Sequence, residues 1–143
     1  MSDKDIESEI QAKGLTAPRI TPQHIESVII SEHYFTAAEG VHGANERLKP
    51  HESPIDYYQE AHPTESLLTF CVLVLHNGFT VTGESACASP ENFDPEIGRK
   101  IARENAVNKI WMLEGYLLKQ RLHDDRSDVW ENEDECRRAL EEK

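Results

Sequence analysis

Residues 67–88 read LLTFCVLVLHNGFTVTGESACA. Two β-rich runs, Leu67–His76 and Phe79–Ala88, flank Asn77-Gly78. An Asn-Gly pair between such runs is the strongest short-range hairpin signal and implies a type I′ turn. That turn sets a register in which His76 faces Phe79, Val74 faces Val81, Val72 faces Gly83 and Phe70 faces Ser85. Leu75, Leu73 and Cys71 then share the other face with Thr80, Thr82 and Glu84. Both faces are half apolar, so each needs a cover. The same register puts Cys71 and Cys87 on opposite faces, which excludes a disulfide between them.

Downstream, Asp94-Pro95 combines a good N-cap with the residue best suited to the first helical position. A helix is expected from Pro95 to about Arg121, about 40 Å long at 1.5 Å per residue. Ala106, Ile110, Leu113 and Leu117 form one apolar stripe; Ile97, Ile101, Trp111 and Leu118 form a second. Gly115 inside this helix implies close packing at that point. Upstream, Thr21-Pro22 is another helix start, and Ile25, Val28 and Ile29 follow at helical spacing, giving a short helix to about His33. Tyr34 and Phe35 would anchor its end.

The fold class expected is α+β: a short N-terminal helix, an antiparallel hairpin or small sheet, a long C-terminal helix and a disordered acidic tail. Residues 1–14 read as a flexible tail or frayed helix and 15–122 as one domain. Within it, 40–66 holds Gly40, Gly43, Pro50, Pro54 and Pro63 and reads as a loop insertion. Residues 123–143 carry nine acids and four bases and read as an acidic tail or a marginal helix.

The chain has 143 residues, a net charge of -12 and a mean hydropathy of -0.63. That charge opposes a long nucleic acid across the surface. No apolar run reaches membrane-spanning length and the N-terminus lacks a signal peptide, so a cytoplasmic location is expected. Cys71, Cys87 and Cys136 lack CxxC spacing, and the seven histidines are scattered. No metal or cofactor is expected. No nucleophile, base and orienting group occur together, and Gly83-Glu84-Ser85-Ala86 is an incomplete nucleophile elbow, so the chain reads as a non-enzyme.

The acidity is uneven. Residues 95–121 hold six bases and three acids, +3, which leaves -15 elsewhere. Arg99 and Arg103 lie one helical turn apart and project with Ile110, Leu113 and Leu117. Such a pair could hold a phosphate or carboxylate, or could pair with Glu84, Glu96 or Asp94. Phe79 could stack on a base and Asn92 could read a base edge. The candidate ligand-binding set is therefore Phe79, Asn92, Arg99 and Arg103.

The stretch LTFCVLVLHNGFTVTGESACASPENFDPEIGRKIARENAVNKIWMLEGYLL (68–118) resembles the phage "gene product forty-nine / sixty-six" family of small tailed-phage proteins. NGFTVTGESAC, PENFD and GRKIARENA carry the likeness, with Glu32-His33-Tyr34-Phe35-Thr36-Ala37 upstream. The resemblance implies a phage or prophage accessory protein in the bacterial cytoplasm. A hairpin or small sheet followed by a long arginine-bearing helix also resembles the phage Thoeris anti-defence sponge proteins. This second likeness implies a counter-defence module that sequesters a phosphorylated nucleotide signal without degrading it. The alternative is a module that binds a host protein through the acidic tail and the apolar helix. The wide apolar helix surface also implies a homodimer or higher homo-oligomer.

Overall fold

The computed structural model describes residues 2–47 and 59–141, and for 127–132 the backbone alone. Its elements run α1 (Asp3–Ala12), α2 (Pro22–Val28), β1 (Ile29–Thr36), α3 (Ala37–Arg47), β2 (Leu68–Leu75), β3 (Thr80–Ala86) and α4 (Pro95–Glu141). Short 3-10 turns occupy Pro63–Leu67 and Pro90–Asn92. The fold is α+β, with an antiparallel sheet of order β1-β2-β3. No described helix is long and apolar enough to cross a membrane.

The helix starts follow their capping chemistry. Thr21 Oγ1 accepts the His24 N–H at 3.1 Å, and Asp94 Oδ1 accepts from the backbone of Glu96 and Ile97. Other boundaries moved. The helix expected to reach His33 ends at Val28, and Ile29–Thr36 is a strand. The chain Ile29-Ile30-Ser31-Glu32-His33-Tyr34-Phe35-Thr36 is β-branched and aromatic at both ends, and β2 offers it an open edge for pairing. Residues 40–47 of the expected loop lie within α3, which starts where Thr36 Oγ1 accepts the Glu39 N–H at 3.2 Å. Positions 48–58 of that loop lie outside the described residues. The stretch expected as a disordered acidic tail is helical as far as Glu141. Between Gly115 and Glu141 the chain contains neither Gly nor Pro, so nothing interrupts the ladder.

The hairpin register is also one step from the type I′ expectation. Val74 pairs with Thr80, Leu73 with Val81, Cys71 with Gly83 and Phe70 with Glu84. The turn carries three residues, with Gly78 N–H donating to Leu75 O at 2.8 Å and Gly78 at φ +87°. This is a type I turn closed by a left-handed glycine. A one-residue change exchanges which side chains oppose one another. Cys71, Leu73, Leu75 and Val81 form the buried face, and Phe70 packs on Phe35 with ring centroids 5.6 Å apart on the other. Cys71 and Cys87 now share a face parity, yet Cys71 lies opposite Gly83 whereas Cys87 bonds to Leu67. They are too far apart to pair, and both are free.

The chain divides into two compact units, Glu26–Ile110 and the flanking segments, up to Ile25 and from Trp111 onward. In the first, Gly98, Ala102, Ala106 and Ile110 form the buried stripe of α4. A Cβ at Gly83 would stand 2.1 Å from Ala102 O and 2.4 Å from Ala106 N, so β3 and α4 meet backbone to backbone. In the second, buried Glu7 accepts a bond from Arg19 Nη2 at 2.6 Å and another from Gln11 at 2.9 Å. Arg19, followed by Gln11, holds the Glu7 carboxyl below its ordinary range. His24 Nε2 lies 2.8 Å from buried Glu114. Among the described residues nothing lies within 4 Å of where a Cβ on Gly115 would stand, and the close packing expected there is found at Gly83 instead.

Gly83→Ala should lower unfolding free energy by about 3 kcal/mol or more, because backbone must move to admit the methyl group. Gly115→Ala should raise it by up to about 1 kcal/mol through helix propensity. Urea unfolding of both variants checks the contrast.

Candidate functional site

The features below lie within Glu26–Ile110. The Asp94 cap starts α4 beside the sheet, and the Gly98-Ala102-Ala106 stripe holds its first turns against β2 and β3. Arg99 and Arg103 follow the cap by one and two turns.

The two arginines have different surroundings. Arg103 donates from Nη1 and Nη2 to the two carboxylate oxygens of Glu26, at 3.1 and 2.8 Å. Its Nε donates to Glu32 at 3.2 Å, and Glu32 also accepts the Tyr34 hydroxyl at 2.8 Å. This is the bidentate fork that suits guanidinium and carboxylate. The Glu26 bonds, opposed by burial and reinforced by Glu32, raise the Arg103 pKa further. Burial first, then the Glu32 bond, pushes the Tyr34 phenol up. Burial likewise pushes up the Cys71 thiol, which is packed in the core. With two carboxylates around one guanidinium, Arg103 has no charge left over for an anion. The partners Glu26 and Glu32 differ from the nearby acids considered in the sequence, because they come from α2 and β1, more than seventy positions away.

Arg99 makes no hydrogen bond or ion pair among the described residues. It lines a cavity of about 140 Å³ with Phe93 and Pro95 from the start of α4. The opposite walls come from Tyr34, Phe35 and Thr36 of β1, Glu39 of α3 and Thr69 of β2. Thr69 is 3% exposed, and its Oγ1 has no hydrogen-bond partner among the described residues. A buried hydroxyl left unpaired costs about 1–3 kcal/mol relative to a paired one. Arg99 and Glu39 face one cavity as opposite charges without forming an ion pair.

The structure does not bring the four expected site residues together. Phe79 is 54% exposed at the hairpin end of the sheet, beside Leu75. Thr69 lies six residues along β2, or about 20 Å away at the usual rise. Asn92 is exposed in the turn before α4 and does not line the cavity, whereas its neighbour Phe93 does. Of the expected set, Arg99 alone reaches it. Thr36 and Glu39 were missed because the segment around them reads as helix end and loop, and Thr69 because it reads as one more residue of a strand. Thr36-Ala37-Ala38-Glu39 is an S/T-x-x-E helix-start signature that could have located the first two.

Among the described residues no group of His, Cys, Asp and Glu could hold a metal ion. His51 lies outside them, and His62 serves as a local cap whose Nδ1 accepts the Thr64 N–H at 3.2 Å.

Residues 20–122 match the model of the phage protein family described by N4 Gp49 and phage Sf6 gene 66. The chain belongs to that family. The match extends past the motifs of 68–118 to include α2, β1 and the 40–66 segment, so these are parts of the family domain. No curated protein and no solved structure matches the chain.

Removing the Arg103 fork tests its structural role. The pair is partly solvated, so Arg103→Ala should destabilise by about 1 kcal/mol, and Arg103→Lys should recover little of it because lysine lacks the fork. A double-mutant cycle with Glu26→Gln, read by urea unfolding, should give a coupling of similar size.

Proposed function

We propose that this phage accessory protein is a non-enzymatic binder of a small phosphorylated ligand, with Arg99 as the group that holds the anion. One observation carries the reading: among the described residues Arg99 is unpaired at the cavity it lines, while Arg103 one turn away is already neutralised. A guanidinium fork fits phosphate. Phe93 and Phe35 supply apolar surface beside it. A nucleotide signal, sequestered as a counter-defence measure, is the ligand class this reading favours.

The cavity of about 140 Å³ is smaller than the roughly 300 Å³ at which sites for whole drug-sized molecules begin. Part of a nucleotide would therefore enter and part would stay outside. Absence of turnover is part of the proposal.

A second reading has its own support. Met112 and Tyr116 lie one turn apart on α4 and are 73% and 72% exposed. The acidic helical stretch beyond residue 122 follows them. Such a surface suits a protein partner, whether a host protein or a second copy.

Calorimetry with cyclic nucleotides and cyclic ADP-ribose isomers decides between them. The first reading expects binding that falls at least about tenfold in Arg99→Ala, the scale of a lost charged hydrogen bond. It also expects recovery of the ligand unchanged by chromatography. No binding across the panel, together with capture of a host protein that depends on residues 123–143, would favour the second reading.

A further inference from the structure

The sheet has two edges, and the fold treats them differently. Leu75 N–H donates to Phe79 O and Cys87 N–H donates to Leu67 O, which sets the phase of the β2–β3 ladder. In that phase the backbone groups of Thr82 and Glu84 turn away from β2. Side chains of α4 reach across to them. Lys109 Nζ donates to Thr82 O at 2.5 Å, and Asn105 Nδ2 donates to Glu84 O at 2.8 Å. Another strand laid along β3 would have to displace both, so this edge is guarded.

The opposite edge, β1, has no such guard. The same phase turns the backbone of Phe70, Val72 and Val74 toward β1, where they pair with Phe35, His33 and Ser31. The N–H and C=O of Glu32 and Tyr34 therefore turn outward, and no described residue bonds to them. A bulge between Ile29 and Ser31 bounds this open stretch on one side, and the start of α3 at Ala37 bounds it on the other. His33 stands at its middle and is exposed, with Phe35 37% exposed beside it.

Two identical edges pair antiparallel about a two-fold axis, because the same patch meets itself. The pairing that uses all four outward groups of each copy sets Glu32 opposite Tyr34 of the second copy, and His33 opposite His33. Each carboxylate then faces a phenol. A pairing centred on Glu32 would set carboxylate against carboxylate, which is unfavourable. We propose that β1 is the interface of a homodimer in which two three-stranded sheets join as six strands, with the axis at His33. Since β3 is guarded, the joined sheet offers no second open edge, and the assembly closes at two copies. This proposal stands apart from the ligand reading and uses a different surface from Met112 and Tyr116.

Sedimentation equilibrium of the full chain should give a species of twice the 16.3 kDa chain mass. His33→Lys sets like charges across the axis at an exposed position, and should raise the dimer dissociation constant at least about tenfold. In a chain carrying Cys87→Ser and Cys136→Ser, His33→Cys should give a covalent dimer when diamide is added as oxidant. Residues opposed in a non-hydrogen-bonded antiparallel pair have Cα atoms about 4.5 Å apart, within disulfide reach. Thr82→Cys on the guarded edge, in the same background, should give none. Asn105→Ala with Lys109→Ala should expose β3 and produce species larger than a dimer; their absence would overturn the guarding role of these two side chains. A chain that stays monomeric would overturn the dimer. So would a dimer that survives His33→Lys unweakened and is not cross-linked through His33→Cys, since it would be built on another surface.

Discussion

The contact on which the Glu26–Ile110 unit depends is the backbone approach of α4 to β3 at Gly83. A methyl group there would overlap the Ala102 carbonyl and the Ala106 amide. Gly98, Ala102 and Ala106 answer it from the helix side with small side chains. Because the helix sits this close, its first turn is carried to the far end of the sheet, where Gly98 lies against Thr69. The positions of Phe93 and Arg99 follow from that approach. The cavity is thus a by-product of packing small residues against a glycine on a strand.

The same approach separates two arginines that look equivalent on a helical wheel. Arg103 meets Glu26 and Glu32, both brought there by α2 and the edge strand β1, and becomes a structural cross-link. Arg99 stands one turn closer to the helix start, where β1 ends and α3 begins, and among the described residues meets no carboxylate at bonding distance. Burial reinforces the difference. Tyr34, Glu32 and Arg103 form a connected polar network, whereas Thr69 is left with an unsatisfied hydroxyl a few residues away. Polar groups in one unit are therefore bonded to one another in one case and left unbonded among the described residues in the other.

Family membership fits this division. The match over residues 20–122 covers the sheet, α2, α3 and the first part of α4, which include every residue of the cavity and of the Arg103 network. The acidic continuation of α4 beyond 122 lies outside the matched segment. Its helical form follows from uninterrupted helix-forming residues and from local pairs such as Gln120 with Asp124.

Local chemistry was legible from the chain alone. The hairpin around Asn77-Gly78, the caps at Thr21 and Asp94, the α+β class and the charge island on α4 each depend on residues within a few positions of one another. The β1 strand, the three-residue turn and its register, and the partners of Arg103 were not. Ile25, Val28 and Ile29 satisfy a helical period, and only an open edge on β2 makes the following residues a strand. Asn-Gly permits more than one tight turn, and the choice falls to the face that must bury Cys71, Leu73 and Leu75 under α4. Glu26 and Glu32 are far from Arg103 in sequence, so no spacing rule could select them over nearer acids. The residue types available to the site were thus written in the sequence. Which of them share a cavity was decided by long-range packing, because contact between distant segments depends on how closely the helix and sheet backbones can approach.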